Sequence, residues 1–598
     1  MTWASQATIP TVTVPPFPQD ERADQSDLEG IEFGVNDPSG RSVTDPAGFE
    51  WSIAEDGRGL VKQGPQGAWH LTAESSPLAG REVRDLALDG QGTLWIATDQ
   101  GLCLHDTHEG WVHLGAGAGM PAVDARRLLL MPGGERWVAT SQGLVRLLDG
   151  RWSLFRGPRW LPSNDVVDLV MVDDSTVAVQ CADGGVAGVR TVHTTLGAKA
   201  AIIEDMIDQR HRRHGYVSDC QLDEPGSTDA FTYVASDNDG LWTAIYLAAE
   251  CYRYACTGEP GARDRARESM EALLRLEEVT GIPGFPARAV VSVDETDVRR
   301  SGGEWHASPC GQWVWKGDTS SDELNGHYFA LPIYYELVAD AAERRAIQGM
   351  IARVTDHLLQ NDFRLIDADG EQTTWGIFSP RLLNGTAQWT LERGLNSLSM
   401  LSFLKVAHAL CGTARYGTAY DFLCRRHHFA LNTIDQKIRM PAEINHSDDE
   451  LSFLAYYPLF MYERDPDLLA IYRLSMERTM AVERPERNPL WNMIGSFALG
   501  RDQGLSESVR TLREMPTDRI HWDVDNSVRA DITVSTEFDR GGNLASTEVL
   551  PYSENGMLKW NGNPYQLRRG GGGRAEDDGG AFLLPYWMGR YHAMIREV

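Results

Sequence analysis

Short segments that combine a tryptophan with a Gly-Leu turn recur in the first third of the chain. Their starts are 44, 42 and 40 residues apart and read Trp51-Ser-Ile-Ala, Trp95-Ile-Ala-Thr, Trp137-Val-Ala-Thr and, without the tryptophan, Val177-Ala-Val. Between them, apolar runs such as Leu128–Met131 end at a glycine turn, which is typical of short antiparallel strands. A period of about 40–45 residues with several strands in each unit predicts the blades of a β-propeller.

These repeats resemble the propeller repeats in the sensor regions of two-component regulators, whose blades carry an LWIAT strand and then a Gly-Leu turn, as at Leu94–Leu102. The resemblance implies about four blades over residues 45–195, arranged as a closed propeller or an open array. Residues 1–44 then form an N-terminal extension. We expect the repeated tryptophans to fill the blade core.

From Ala198 onward, apolar residues recur with the 3.6-residue period of α-helices. Six charged amphipathic segments alternate strictly with six that are apolar on nearly all faces. The apolar segments are Gly240–Cys256, Glu323–Ala339, Leu395–Leu410, Glu450–Tyr462, Pro489–Leu499 and Ala581–Ile595. The charged segments are Ala198–His214, Ala262–Thr280, Ala341–Gln360, Ala414–Leu431, Asp467–Glu483 and Leu505–Met515. Helices that are apolar all round pack inside other helices, so residues 196–598 are expected to form an (α/α)6 toroid.

The predicted fold class is therefore multidomain α+β, with N-terminal β-propeller-like repeats followed by an (α/α)6 helical toroid. Loops that lead into the apolar helices are long, as at 281–322, 361–394, 432–449 and 516–580. Loops that leave them have only a few residues. Long loops on a scaffold of short ones are usually functional. The N-terminal ends of the inner helices are therefore the candidate active site.

Polar and aromatic side chains are concentrated at this rim. Helix N-termini favour anions and capping groups, while tryptophan rings offer flat apolar faces on which sugars stack. The candidate catalytic residues are Asp239, Asp322, Glu323, His327, His446 and Asp449. The candidate substrate-binding residues are Asp237, Trp242, Trp305, His306, Trp375, Asn396, Asn445, Tyr456, Trp491 and Trp560.

Acids on the inner helices, a tryptophan-lined mouth and the start Asp239–Trp242 resemble the (α/α)6 toroid carbohydrate-active enzymes, a group that includes glucuronyl hydrolases, polysaccharide lyases and sugar epimerases. The resemblance covers about residues 196–598 and implies a carbohydrate substrate. It is architectural, so it assigns no catalytic residue by itself.

Glycoside hydrolysis needs one protonated and one ionised carboxyl, and Asp239 with Asp322, Glu323 or Asp449 would supply them. This makes a glycoside hydrolase the first hypothesis. A polysaccharide lyase acting by β-elimination on a uronic acid is the alternative, with a base among His327, His446 and Tyr456. Epimerase or cyclase chemistry, and a sensor that binds a ligand without turning it over, also remain open.

The amino-acid composition limits the classes of molecule that the chain is expected to bind. The chain has 56 Lys+Arg against 85 Asp+Glu, a net charge of −29 and a pI near 4.9, so a nucleic-acid backbone would be repelled. The sequence contains no apolar run of about 18 residues, and Met1–Asp20 lacks the pattern of a signal peptide. The chain as given is expected to be soluble and cytoplasmic, with no membrane partner, and its final location stays open.

The eight cysteines stand singly, without a Cys-x-x-Cys pair, which favours buried reduced thiols. No metal or other cofactor is expected. Calcium at Asp448–Glu450 or at Asp577 and Asp578 is the alternative, because adjacent carboxylates can supply its oxygen ligands.

Overall fold

The computed structural model describes residues 9–33, 42–72, 77, 78, 80–106 and 110–598. Four antiparallel sheets of four strands each occupy the first third of the chain. Their strands are β2 (Phe17–Arg22), β3 (Ser42–Thr44), β4 (Glu50–Ile53), β5 (Gly59–Gly64), β6 (Gly67–Thr72), β7 (Val83–Leu88), β8 (Leu94–Thr98), β9 (Gly101–Asp106), β10 (Gly110–Leu114), β11 (Ala125–Leu130), β12 (Arg136–Thr140), β13 (Gly143–Leu148), β14 (Arg151–Phe155), β15 (Val166–Asp173), β16 (Thr176–Cys181) and β17 (Val186–Thr194). The first three sheets are formed by consecutive strands, β3–β6, β7–β10 and β11–β14. The predicted propeller-like repeats are confirmed.

Apolar clusters join neighbouring sheets. Trp51, Trp95 and Trp137 are buried between the first and second, second and third, and third and fourth sheets, respectively. The other face of the fourth sheet is covered by the 3-10 helix Gln25–Leu28, where Leu28 packs against Ala178. Among the described residues, no apolar cluster joins the first sheet to the fourth. In the described part of the chain, these clusters connect the four sheets in series.

The N-terminal segment belongs to both halves of the molecule. Strand β1 (Val12–Val14) pairs in parallel with the C-terminal strand β31 (Ile595–Glu597). Strand β2 then completes the fourth sheet by pairing with β17, and Arg146 of the third sheet contacts Asp20 at 2.5 Å. The predicted N-terminal extension, residues 1–44, therefore contributes β1, β2, the 3-10 helix Gln25–Leu28 and β3 to the sheets and their packing. Residues 1–8 and 34–41 of it lie outside the described residues.

Helices fill most of the chain after residue 195. The described residues contain α1 (Leu196–Arg210), α2 (Asp239–Thr257), α3 (Pro260–Glu278), α4 (Ser321–Leu337), α5 (Ala341–Gln360), α6 (Pro380–Gly385), α7 (Arg393–Cys411), α8 (Ala414–Asp421), α9 (Phe429–Asn432), α10 (His446–Tyr462), α11 (Pro466–Glu483), α12 (Pro489–Leu499), α13 (Leu505–Glu514) and α14 (Gly580–Tyr591). Each of the twelve predicted segments contains a helix. The prediction of one helix over Ala414–Leu431 is wrong in one respect, because a π turn at Phe422–Arg426 and a left-handed His428 (φ 59°) interrupt it.

Local signals account for the helix boundaries. Ser320 and Glu323 form a capping box at the start of α4, and prolines occupy the first turns of α3, α11 and α12. Gly258, Gly412 and Gly500 end α2, α7 and α12 in the left-handed conformation that glycine tolerates.

The six apolar helices pack against one another in chain order. Helix α2 contacts α4, α4 contacts α7, and the series continues through α10 and α12 to α14, which contacts α2. Their apolar side chains belong to one buried cluster. The charged helices pack on these six, as α3 does on α2, α8 on α7 and α13 on α12. These contacts connect the six apolar helices in a closed series.

Short strands in the long loops complete the structure. They are β18 (Arg212–Arg213), β19 (Tyr216–Val217), β20 (Asp219–Leu222), β21 (Phe231–Ala235), β22 (Val290–Ser292), β23 (Val298–Arg300), β24 (Trp305–Ala307), β25 (Trp313–Lys316), β26 (Arg364–Ile366), β27 (Gln372–Ile377), β28 (Val524–Asp525), β29 (Arg568–Arg569) and β30 (Ala575–Glu576). Within the described part of the chain, no helix is long and apolar enough to cross a bilayer.

Candidate active site

Three partly exposed carboxyl groups lie at the starts of successive apolar helices. Asp322 is in the first turn of α4, Glu392 is the N-cap residue of α7, and Asp448 is in the first turn of α10. Asn445 Nδ2 donates a hydrogen bond to Asp448 Oδ1 at 2.8 Å, and Ser320 Oγ donates one to Asp322. Each carboxyl is thus supplied by a different helix, and two of them are oriented by a neighbouring side chain. We call Asp322, Glu392 and Asp448 the rim carboxyls.

Mutual repulsion and burial control the protonation of this group. Burial raises the pKa of Asp448 to about 8, and the charges of Glu392, Asp449 and Asp322 reinforce the shift. Burial also raises the pKa of Glu392. The positive charge of Arg540 opposes this shift, and the negative charge of Asp322 adds to it. At neutral pH, Asp448 is therefore mainly a carboxylic acid, although the helix dipole at this position favours an anion.

Two neighbours of Asp448 in α10, His446 and Asp449, lie close together, and Asp449 is paired with Lys437. Asp449 accepts a hydrogen bond from Lys437 Nζ at 2.6 Å, and the same ammonium group lies 2.6 Å from Glu483. His446 Nδ1 lies 3.6 Å from Asp449 Oδ2. Burial lowers the pKa of His446 to about 3, and the positive charges of Lys437 and Arg569 add to this effect. The imidazole is consequently neutral at physiological pH.

A small cavity at the base of the rim is lined by Trp242, Glu450, Lys559, Trp560 and Asp578. Lys559 Nζ lies 3.0 Å from Asp578 Oδ2 and 3.9 Å from the centre of the Trp242 ring. Burial raises the pKa of Glu450 to about 8 despite the positive charge of Lys559, with Asp322 among the charges that add to the shift. The cavity is thus lined by two buried indole rings, of which Trp242 is covered by the Lys559 ammonium group, and by the carboxyl group of Glu450, whose raised pKa favours its neutral form.

Several predicted catalytic residues lie inside the packing of the helices. Asp239 is fully buried, and its oxygens bind Arg213 at 3.0 Å, Ser218 and Ser236. His327 is buried with its nitrogens 2.5 and 3.3 Å from two backbone carbonyls. Glu323, also buried, completes the capping box of α4, and its pKa is raised to about 8 by burial. These three residues stabilise the helix starts, and we leave them out of the proposed site.

Some of the predicted substrate-binding residues are also buried in the helix packing, whereas others contact the rim or the cavity. Asn396 donates to the carbonyl of Ile377, and Tyr456 hydrogen-bonds Ser475 at 2.5 Å inside the helix packing. Trp491 is buried and stacked on Phe453 with ring centres 4.6 Å apart. These side chains contribute to stability. Trp242, Trp560 and Asn445, in contrast, contact the rim or the cavity described above.

The remaining predicted residues belong to the loop sheets beside α2 and α4. Asp237 is paired with Lys316, and His306 stacks on Trp315 with ring centres 4.4 Å apart. Trp305 hydrogen-bonds a loop carbonyl, and Trp375 is 46% exposed in β27. They lie on the loops that lead into α2, α4 and α7.

The long loop between α13 and α14 supplies residues that the sequence analysis missed. Lys559 enters the cavity, and Arg540 interacts electrostatically with Glu392 and Asp448. Asp448, Glu392 and Glu450 were not among the candidate catalytic or binding residues either, although Asp448 and Glu450 were considered as calcium ligands. The signal available for Glu392 was its place just before α7, and the loop residues had no pattern to distinguish them.

The rim carboxyls are not part of a cluster of three metal-ligating side chains in the described part of the chain. Among the described residues, a single group of three metal-ligating side chains has its ligand atoms within 4.8 Å of one another: His211, Cys220 and Glu576. The acidic pairs considered for calcium, at Asp448 with Asp449 and at Asp577 with Asp578, are instead occupied by Asn445, Lys437, Arg519 and Lys559.

Comparison with known proteins supports the blades. The family model described as two component regulator propeller matches residues 77–100, which overlap β7 and β8. No curated protein matches the chain. Solved structures with local similarity include the extracellular domains of two-component systems BT4673 and BT3049 from B. thetaiotaomicron, at 18% and 14% identity and TM-scores of 0.20 and 0.21. These alignments cover 26% and 33% of this chain and 20% and 28% of theirs.

Virginiamycin B lyase from Staphylococcus aureus is similar over 36% of this chain and 67% of its own, at 12% identity and a TM-score of 0.19. The chain spans less than a third of the length of either two-component protein. The comparisons thus support propeller repeats in the first third of the chain and give no information on the activity of the helical region.

Proposed function

We propose that the helical region is an (α/α)6 toroid whose rim hydrolyses glycosidic bonds. The packing of α2, α4, α7, α10, α12 and α14 in series, with α14 returning to α2, supports the toroid. The strict alternation of apolar and charged helices supports it independently. The proposed substrate class is a carbohydrate because carboxyl groups lie at the starts of α4, α7 and α10 and an exposed tryptophan, Trp375, lies on the loop that leads into α7.

The observation that carries the proposal is the pairing of a protonated carboxyl with others nearby on separate helices. Asp448, whose pKa is raised to about 8, would be the general acid that protonates the leaving oxygen. Asp322, which is partly exposed and hydrogen-bonded by Ser320, would be the ionised base or nucleophile. Glu392 would raise the proton affinity of Asp448 by repulsion, and Arg540 would limit that effect.

Kinetics of Asp448→Asn test the assignment. Asparagine keeps the shape and removes the proton donor, so kcat should fall about 10²–10⁴-fold while the melting temperature changes little. The loss should be smaller on aryl glycosides, whose leaving groups need little protonation. The matched control is Asp264→Asn, because Asp264 is exposed on the charged helix α3 and is not one of the rim carboxyls. Equal rates in both variants would reject Asp448 as the acid.

A polysaccharide lyase is the second candidate, and the neutral imidazole of His446 favours it. A neutral imidazole can remove the proton next to a uronic carboxylate, and the guanidinium groups of Arg540 and Arg569 could offset the carboxylate charge. In that case His446→Gln would abolish turnover and Asp448→Asn would be tolerated. If the protein is a sensor that binds sugar without turnover, neither the wild-type chain nor the two variants will show catalytic activity.

A further inference from the structure

A buried histidine, cysteine and glutamate meet where α1 ends. His211 follows α1, Cys220 lies in β20 and Glu576 lies in β30. The exposed fractions of the three residues are 0%, 2% and 6%. Cys220 and Glu576 are directly opposite each other on antiparallel strands, so their side chains share a face of the sheet. The backbone thus brings three ligand types together at one point.

The tautomer of His211 is determined by its surroundings. Its Nδ1 lies 3.0 Å from the carbonyl oxygen of Ser218, and the Ser218 N–H donates to the His211 carbonyl at 3.0 Å. A carbonyl oxygen only accepts, so Nδ1 carries the hydrogen and the lone pair of the neutral ring is on Nε2. Histidines that bind metals are commonly oriented by such a carbonyl contact.

The other ring nitrogen faces a second acceptor. His211 Nε2 lies 3.3 Å from Glu576 Oε2, outside hydrogen-bonding geometry, and has no other hydrogen-bond partner among the described residues. A polar atom without a partner in a fully buried side chain is costly, and a bound cation would satisfy it. The Cys220 sulfur lies within 4.8 Å of one ring nitrogen of His211 and one carboxylate oxygen of Glu576.

Glu576 retains capacity for a further bond. Arg210 Nε and Nη2 donate to its two oxygens at 2.7 and 3.0 Å, which fixes the plane of the carboxylate. A carboxylate offers about four lone-pair sites, and the guanidinium group uses two of them. Arg210 therefore orients this ligand in the way that outer partners orient carboxylates around metals.

One member of the group, Glu576, borders an open cavity. Arg210 and Glu576 line a cavity of about 590 Å³ that also includes Asp20, Gln209 and Trp522. The cavity is large enough for water to provide a fourth ligand, which completes tetrahedral coordination.

We propose that His211, Cys220 and Glu576 bind Zn²⁺. One thiolate, one imidazole and one carboxylate suit this borderline-soft ion better than Mg²⁺ or Ca²⁺, which prefer oxygen alone. Ligand atoms around tetrahedral Zn²⁺ lie roughly 3.5 Å apart, so side-chain rotation is enough to close the group. Binding converts the Cys220 thiol to a thiolate and releases its proton to solvent. The proposal does not depend on the activity proposed for the rim.

Metal loading of the full chain tests this site. After equilibration with Zn²⁺ and removal of the excess, mass spectrometry of the metal should find one Zn²⁺ per chain. Loading with Co²⁺ should give the near-ultraviolet charge-transfer band of a thiolate ligand and strong visible bands of tetrahedral coordination. A wild-type chain that retains no Zn²⁺, or a Co²⁺ complex without the thiolate band, would overturn the proposal.

Cys220→Ser should abolish the thiolate band and weaken Zn²⁺ binding at least tenfold. The matched control is Cys251→Ser, which changes another buried thiol, in α2, outside the group. Circular dichroism checks that both variants fold. If Cys220→Ser does not fold, the presence or absence of the thiolate band in the wild-type Co²⁺ complex still tests whether a cysteine binds the metal. A thiolate band that persists in Cys220→Ser would assign the metal to another cysteine.

Discussion

Replacing Glu450 with glutamine should change how stability depends on pH. Glu450 is 3% exposed, and burial raises its pKa to about 8 from an ordinary value of 4.5. Between these two values the folded chain holds one more proton than the unfolded chain. The wild-type free energy of unfolding therefore falls by roughly 1.4 kcal/mol for each pH unit gained through this window. Glutamine mimics the protonated side chain and cannot titrate.

The stability difference between wild type and Glu450→Gln should consequently shift by about 2–3 kcal/mol between about pH 5.5 and pH 7.5, in favour of the variant at the higher pH. Urea unfolding followed by far-ultraviolet circular dichroism measures it at the transition of the helical region. The exposed Glu443, replaced by Gln, is the control and should show no such shift. Parallel pH profiles of wild type and Glu450→Gln would refute a protonated, buried Glu450.

Two further predictions concern the rim and the blades. If Asp448 is the general acid, kcat should fall as pH rises through about 8, because the acid must be protonated, and an activity profile of Asp448→Asn should lack this limb. Trp137→Ala should destabilise the blades by about 3–5 kcal/mol, since the ring is 2% exposed between two sheets, whereas Trp69→Ala, at a 43% exposed position, should change the thermal unfolding of the blades little.

The helices could be predicted because their signals are local. Apolar periodicity, prolines in first turns and terminal glycines lie within the segment that they define, and the predicted bounds of Ala341–Gln360 and Pro489–Leu499 agree with the structure. The blade repeats were visible for the same reason. Strand β2 was missed because its partner, β17, is far along the chain and the sequence FPQDER carries no clear strand alternation.

The rim as a region could be predicted, but its residues could not be ranked. Asp239 and Asp448 both begin apolar helices, so their sequence context is alike. The difference is tertiary: Arg213 reaches Asp239 from another segment and neutralises it, while Asp448 faces the carboxyls of other helices. The group of His211, Cys220 and Glu576 has no motif, because strand pairing assembles it from distant parts of the chain.

The central claim is that the rim adds water across a glycosidic bond, and product analysis in heavy-oxygen water tests it most directly. A panel of neutral and uronic oligosaccharides is incubated with the wild-type chain, and the products are analysed by mass spectrometry and ultraviolet absorbance. The account predicts one heavy oxygen per cleaved bond and no new absorbance. Products that absorb in the ultraviolet and carry no heavy oxygen would contradict hydrolysis and identify β-elimination, and bound but uncleaved sugar would identify a sensor.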